Sequence, residues 1–288
     1  MPRNDFSDME DFERRKTILE LEDVSVTFPN GMRALKPSSL KFYRGEFAVL
    51  LGPSGSGKST LLRCLNLLQE PTTGRVSSPW ISGPASESSA RVHRRRIGMV
   101  FQQHQLVLSM TALDNVMAGM AGSCGLFRAM FPSDAMRIEA LECLDRVGLA
   151  GKAMNRASEL SGGEQQRVGI ARALAQKPDA ILADEPVASL DPARASRLMG
   201  LFKKICGDSG ITAVVSLHQV SLAREFADRI VGLRAGEIVF DAPASELDDS
   251  AVLEIYADSA ALSGGGTGAR RSPAAPREAR ERELAGAF

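Results

Sequence analysis

A glycine-rich segment, GPSGSGKS (52–59), carries the clearest chemistry in this sequence of 288 residues. Its glycines permit a tight turn in which consecutive backbone N–H groups surround phosphate oxygens. Lys58 supplies a positive charge for the β- and γ-phosphates, and Ser59 supplies a hydroxyl ligand for Mg²⁺. The segment follows the apolar run FAVLL (47–51) and precedes a helical pattern over 59–68. This order favours a phosphate-binding loop over a chance glycine turn, because the helix points its positive dipole end at the phosphates.

Two adjacent carboxylates end a second apolar segment, AILADE (180–185). A buried strand would deliver Asp184 to the carboxyl edge of a sheet, within reach of a bound Mg²⁺. Glu185 beside it can orient or deprotonate an attacking water. A surface acid that caps the next turn is the alternative. Together with the phosphate-binding loop, this segment predicts a P-loop NTPase without saying which kind.

A third segment, LSGGEQQRV (160–168), resembles the signature of ABC ATPases. In that family Ser161, Gly162 and Gly163 open a helix whose N-terminal amides face the nucleotide bound by the other subunit, a second anion site of the same physical kind. A Ser-Gly-Gly sequence alone usually forms a turn. The segment precedes Asp184 in the order and at the rough interval of the family, which favours the signature.

Four further positions fit the family pattern. The resemblance implies that Gln102 touches Mg²⁺ and the attacking water and borders a membrane partner, although a loop amide bonded to backbone is the alternative. Asp191 and the two residues before it resemble a loop that crosses the dimer interface. His218 matches a histidine that contacts the γ-phosphate, where a structural histidine is the alternative. Phe28 matches an aromatic residue stacked on adenine, where a core aromatic is the alternative.

The resemblance therefore implies a composite site for ATP and Mg²⁺. Catalysis is assigned to Glu185, His218 and Gln102. Mg²⁺ is assigned to Ser59, Gln102 and Asp184. The nucleotide contacts implied by the family are Phe28, Gly52, Pro53, Ser54, Gly55, Ser56, Gly57, Lys58, Ser59, Thr60, Ser161, Gly162, Gly163 and Asp191.

The elements that must position these residues are predicted from the apolar segments. Strand patterns dominate the first fifty residues, and later strands alternate with helical patterns, so we expect a parallel core sheet with crossover helices. The expected strands are 18–28, 39–43, 47–51, 97–101, 180–184 and 212–217, with a hairpin over 230–240. The fold class is α/β: a P-loop NTPase of the ABC type, with a parallel core sheet, an antiparallel β subdomain and a helical signature subdomain.

The domain organisation follows from the same patterns. Residues 1–17 are expected to be a flexible lead, 18–257 the ATPase domain with its helical subdomain over about 103–176, and 258–288 a disordered tail. The stretch 71–92 is rich in Pro, Ser and Gly and receives no assignment.

Two smaller expectations concern helical and basic segments. The run HRRR (93–96) is expected to be a solvated face. A helix is expected after Ser133 as its N-cap, with four apolar residues along one face: Ile138, Leu141, Leu144 and Val147.

Composition narrows the class of protein. Lys plus Arg and Asp plus Glu number 35 each, so no excess positive charge indicates nucleic acid as a partner. The four cysteines are scattered and are expected to be reduced core thiols. The sequence shows no signal peptide and no apolar run long enough to span a bilayer, so we expect a cytoplasmic protein whose membrane-spanning part is another polypeptide.

Three strings resemble phosphonate-import ATPases most closely: FQQHQLV (101–107), ILADEPVASLDP (181–192) and SLHQV (216–220). The resemblance implies a homodimer of nucleotide-binding domains at the cytoplasmic face of the inner membrane. It implies two transmembrane permease subunits and a periplasmic or extracellular solute-binding protein as further partners. The signature departs from the usual pattern at Gly-Glu-Gln (163–165), which weakens the prediction of the solute and leaves that of an ATPase intact.

Other functions stay open at this point. Repair ATPases of the structural-maintenance type carry a long coiled coil, and translational members carry two ATPase domains in one chain; the sequence has neither feature. A non-transport ATPase of a carbon–phosphorus lyase assembly, or an importer of another solute such as phosphite or a phosphate ester, is not excluded. An inactive scaffold is disfavoured because Lys58, Asp184, Glu185 and His218 are all present.

Overall fold

The structure is a computed structural model that describes residues 16–81, 86–102, 105–130 and 132–263. The chain divides into two units, 1–256 and 257–288. In the second unit only residues 257–263 are described, as the end of the last helix. Most of the predicted lead and tail therefore lies outside the described residues.

An antiparallel sheet of three strands forms the β subdomain, in the order β2-β1-β4. Its strands are β1 (Thr17–Thr27), β2 (Arg33–Tyr43) and β4 (Thr73–Ser77). Strand β2 begins earlier than the sequence predicted and includes Pro37. A proline inside a strand argues against a central position, and β2 lies at the edge of this sheet, where the missing N–H is tolerated.

A sheet of six strands forms the core, in the order β5-β6-β7-β3-β8-β9. All neighbouring pairs are parallel except β8 with β9. The strands are β3 (Phe47–Leu51), β5 (Ile97–Val100), β6 (Ala180–Ala183), β7 (Thr212–Leu217), β8 (Arg229–Arg234) and β9 (Glu237–Pro243). The carboxyl ends of β3, β6 and β7 therefore meet at one edge, where parallel sheets place their ligand sites.

Eight α-helices are found in the described residues. They are α1 (Lys58–Leu65), α2 (Glu87–Arg96), α3 (Ala112–Met130), α4 (Asp134–Arg146), α5 (Gly162–Leu174), α6 (Pro192–Ser209), α7 (Val220–Phe226) and α8 (Asp249–Ser263). Helices α3, α4 and α5 contact one another and lie within the span predicted for the helical subdomain. The predicted α/β class, with its antiparallel and helical parts, is confirmed.

Helix α4 corrects one prediction. Ser133 is its N-cap and accepts a hydrogen bond from the Met136 N–H, as expected. The four apolar residues do not share one face: Ile138 and Leu141 are 58% and 41% exposed, whereas Leu144 and Val147 are buried. The reason is that steps of three residues drift around a helix of 3.6 residues per turn, so the first and last positions lie on opposite sides.

The unassigned stretch 71–92 contains β4 and most of α2. The basic run after it is the last turn of α2 and is not wholly solvated. His93 is buried, with Nε2 2.7 Å from the Leu65 carbonyl oxygen and Nδ1 2.9 Å from Ser78 Oγ. The prediction of a solvated face is therefore wrong for His93, because α2 packs this side chain onto the end of α1.

Two predictions from composition can be compared with the described residues. Cys64, Cys143 and Cys206 are buried free thiols, as expected, whereas the side chain of Cys124 lies outside the described part of the structure. Burial raises the pKa of the Cys64 and Cys206 thiols to about 12, so both stay protonated near neutral pH. Among the described helices, none is both long enough and apolar enough to cross a bilayer.

Candidate active site

The loop from β3 to α1 follows the backbone of neighbouring strands so closely that side chains are excluded. A Cβ atom on Gly52 would lie 2.2 Å from the Leu233 carbonyl oxygen, and one on Gly57 would lie 2.6 Å from the Ala34 carbonyl oxygen. Gly55 has open space around it but takes a φ of +78°, a conformation that favours glycine. The glycine spacing read from the sequence thus reflects two close backbone approaches and one left-handed turn.

Lys58 is the first residue of α1 and is almost fully buried. Its Nζ donates to the carbonyl oxygens of Gly52, at 2.7 Å, and Pro53, at 3.0 Å. Burial lowers the pKa of Lys58 to about 8, against the charges of Glu185 and Asp184, which raise it. A cation held in this loop is suited to an anionic ligand, since nearby phosphate oxygens would favour the charged form.

Asp184 lies just past the end of β6 and is buried. Its Oδ1 accepts hydrogen bonds from Ser59 Oγ, at 2.8 Å, and from Ser216 Oγ, at 2.9 Å. Ser216 Oγ also accepts from the Glu185 N–H at 2.8 Å. One hydroxyl in β7 therefore fixes both carboxylate residues. Ser216 is not among the site residues predicted above; its signal in the sequence is a serine within the otherwise apolar end of the strand TAVVSL.

Glu185 has a φ of +47°, which is uncommon for a residue with a side chain. Its carboxylate Oε1 is hydrogen bonded to His218 Nε2. The His218 ring also approaches the loop, with Nδ1 3.0 Å from the Gly52 carbonyl oxygen and 3.4 Å from Lys58 Nζ. Strained backbone concentrates at active sites, and here it brings the two predicted catalytic side chains into contact above the phosphate-binding loop.

Gln102 is exposed and lies at a bend just beyond β5. The N–H of Asp184 donates to the Val100 carbonyl oxygen at 2.8 Å, so the end of β5 is next to the carboxylates. This position is compatible with the predicted role of Gln102.

The signature residues lie at the start of α5, with Ser161 as the N-cap and Gly162 and Gly163 in the first turn. The Glu164 carboxylate accepts from the Ser161 N–H at 2.9 Å and from Ser161 Oγ at 2.8 Å. Lys152 Nζ donates to the same carboxylate at 2.5 Å. Lys152, with Ser161, lowers the pKa of Glu164 to about 2. Among the described hydrogen bonds, none links these residues to the phosphate-binding loop.

Two predicted nucleotide contacts also have a structural role. Asp191 is the N-cap of α6 and accepts from the Arg194 N–H at 3.0 Å. Phe28 is half-buried and packs against the apolar core of the β subdomain. Their contacts with nucleotide stay predictions.

A family model described as ABC transporter matches residues 35–188, a span that includes both the phosphate-binding loop and the carboxylate pair. The chain belongs to the ABC transporter family. The family prediction is thereby confirmed, and with it the prediction of an ATP-binding ATPase. The roles of individual residues in this ABC ATPase are still predictions.

Relatives of this ABC ATPase match over most of their length. The phosphite import ATP-binding protein PxtA of Stutzerimonas stutzeri is 55% identical, over 83% of this chain and 87% of that protein. The phosphonates import ATP-binding protein PhnC 3 of Nostoc sp. is 52% identical, over 83% of this chain and 92% of that protein.

The fold of this ABC ATPase also matches solved structures. A dimeric post-hydrolysis structure of the ATP-binding cassette MJ0796, bound to ADP and Pi, has a TM-score of 0.70 and 38% identity, covering 79% of this chain and 99% of that one. The structure of cbiO1 from Clostridium perfringens, part of the ABC transporter complex cbiONQ, has a TM-score of 0.73 and 29% identity, covering 83% and 93%.

Proposed function

We propose that this ABC ATPase is the motor subunit of an importer for small phosphorus oxyanions, with phosphonates as the first candidate solutes and phosphite as the second. The observation that carries the solute class is the identity of 55% and 52% to proteins named for phosphite and phosphonates import. The strings around Gln102, Glu185 and His218 resemble the same group. The solute itself would be bound by partner subunits.

The residues that would hold Mg²⁺ fit it chemically. The Ser59 hydroxyl and the Asp184 carboxylate are 2.8 Å apart and offer the oxygen donors that this cation prefers. Mg²⁺ commonly takes only one or two protein ligands and completes its shell with phosphates and water, which agrees with this small set. When bound, the cation would neutralise charge on the β- and γ-phosphates. Gln102 would join this shell from the end of β5.

Hydrolysis would depend on Glu185. Its carboxylate would accept a proton from water as the water oxygen bonds to the γ-phosphorus, while the bond to the leaving ADP oxygen breaks. The hydrogen bond from His218 would orient that carboxylate and place the ring near the γ-phosphate. Lys58 and the loop amides would hold the phosphates in line.

A second copy of the chain would complete the site. The open N-terminus of α5, with Ser161 at its cap, would face the nucleotide held in the partner's phosphate-binding loop. Closure on ATP and reopening after hydrolysis would drive two permease subunits at the cytoplasmic face of the membrane. A solute-binding protein outside the membrane would deliver the oxyanion.

The test is a reconstituted complex of this chain with its permease subunits and binding protein. ATPase activity should rise when the binding protein carries an alkylphosphonate or phosphite, and a Glu185→Gln complex should stay inactive under both conditions. Activation by an amino acid or a sugar, with no response to either oxyanion, would show that the solute class is wrong. If the chain instead co-purifies with lyase subunits and without a permease, the proposal of transport fails.

A further inference from the structure

The C-terminal helix α8 reaches the active site through Tyr256. The preceding residue, Ile255, is fully buried and lies directly over Gly232 of β8, where an added Cβ atom would come within 2.6 Å of the isoleucine side chain. Ala251 and Val252 also pack against the main core. These apolar contacts fix the helix on the sheet without any help from the tyrosine hydroxyl.

The Tyr256 hydroxyl contacts the backbone of the site. It donates a hydrogen bond of 2.9 Å to the carbonyl oxygen of His218. Burial raises the pKa of Tyr256, and the nearby backbone of Gly52 opposes this by a smaller amount.

The carbonyl group of Gly52 is contacted by two side chains of the site. Its carbonyl oxygen accepts from Lys58 Nζ and lies 3.0 Å from His218 Nδ1. The side chain of His218 is therefore tied to the phosphate-binding loop, and its backbone is tied to α8.

We propose that Tyr256 is a positioning residue for ATP hydrolysis: its hydroxyl fixes the backbone of His218 relative to Gly52, so that the imidazole stays against Glu185. This inference rests on the proposed function of the site. His218 lies between the end of β7 and the start of α7, where the strand no longer restrains it. The contacts of Lys58 with the carbonyl oxygens of Gly52 and Pro53 do not involve the phenol, so nucleotide binding should persist when the hydroxyl is removed.

Tyr256→Phe removes the hydroxyl and keeps the ring. We expect kcat to fall by about fivefold, the loss that corresponds to roughly one hydrogen bond of ~1 kcal/mol. The affinity for ATP should stay within about twofold of wild type, since no group that touches the nucleotide is altered. Ile255→Val is the matched control, because it removes one buried methylene group from the same turn of α8. It should lower the melting temperature without changing kcat.

A double-mutant cycle separates positioning from general stability. In a His218→Ala background, Tyr256→Phe should cause no further loss of kcat, because the group that it positions is gone. The inference is overturned if Tyr256→Phe keeps wild-type kcat, or if it lowers activity by the same factor with and without His218.

A second variant serves if Tyr256→Phe is not recovered folded. Difluorotyrosine at position 256 keeps the hydroxyl and lowers its pKa, so kcat should fall as pH rises and the phenolate can no longer donate to His218. A pH profile identical to that of wild type would also overturn the inference. Glu185→Gln is measured in parallel: if it hydrolyses ATP normally, the proposed function fails, whereas an inactive Glu185→Gln beside a fully active Tyr256→Phe refutes only the role of Tyr256.

Discussion

Ser59 at the start of α1 donates a hydrogen bond of 2.8 Å to Asp184 at the end of β6. These residues are distant from each other in the sequence. The contact joins the phosphate-binding loop to the carboxylate pair across the edge of the core sheet. The contact makes the position of each half of the site depend on the other.

The first prediction concerns the buried lysine. Lys58→Ala should lower ATP affinity by about 10²-fold or more, because it removes the positively charged side chain proposed to lie beside the phosphates. Folding should survive, since a buried charge is removed together with its desolvation cost. Titration calorimetry with a thermal melt measures both effects. Lys36→Ala, which removes an exposed ion pair with Glu237, should change neither; wild-type affinity in folded Lys58→Ala would refute the assignment.

The second prediction separates binding from chemistry. Glu185→Gln keeps the shape of the side chain but cannot accept a proton, so hydrolysis should fall by about 10²-fold or more while ATP binding persists. The protein should then accumulate as an ATP-bound dimer in size-exclusion chromatography with Mg-ATP. A Glu185→Gln protein that binds ATP and stays monomeric at high concentration contradicts the composite site.

The third prediction concerns the serine that the sequence did not reveal. Ser216→Ala leaves the Glu185 N–H and one Asp184 oxygen without this partner in a buried place, at a cost of about 1–3 kcal/mol in the free energy of unfolding. ATPase activity should fall as well, because both carboxylates lose a restraint. Urea unfolding and steady-state kinetics test this. Ser196→Ala on the surface of α6 is the control, and equal behaviour of the two variants would argue against the role of Ser216.

How far the sequence predicted this site depends on the range of the interactions. The phosphate-binding loop and the start of α5 are local patterns, set by glycine backbone freedom and a helix start, and the structure places them where the spacing indicated. The hydroxyls of Ser216 and Tyr256 act on residues that only the folded sheet brings near. A serine in an apolar strand could have drawn attention to Ser216, but no local pattern shows which residues either hydroxyl contacts.

The sequence predicted the presence of helices better than it predicted which of their side chains are buried. Ile138 and Leu141 belong to α4, as predicted, yet they are exposed because burial depends on which neighbours pack against the helix. Strand β4 and helix α2 were not predicted, because the Pro, Ser and Gly residues in 71–92 are typical of loops. Tertiary contacts stabilise these short elements.

The fourth prediction concerns pH. The folded-state pKa of Glu164 is about 2, below its ordinary value of 4.5, so its ion pair with Lys152 contributes stability above pH 4.5 that is lost as the pH falls towards 2. Glu164→Gln should therefore be less stable than wild type at pH 7, and the difference should shrink at pH 3. Urea midpoints at both values measure this. A difference that stays constant, or grows on acidification, contradicts the pairing; Lys152→Met should reproduce the effect of Glu164→Gln.

ATPase activity in a mixture of two inactive variants tests whether each site is shared between two copies of the chain. Lys58→Ala lacks a working phosphate-binding loop, and Ser161→Arg places bulk at the signature, so each should be inactive alone. A mixed dimer has one site with both an intact loop and an intact signature, and random pairing should restore about a quarter of wild-type ATPase activity. A mixture as inactive as its components, or a Ser161→Arg protein that is fully active alone, would contradict a site shared between two copies.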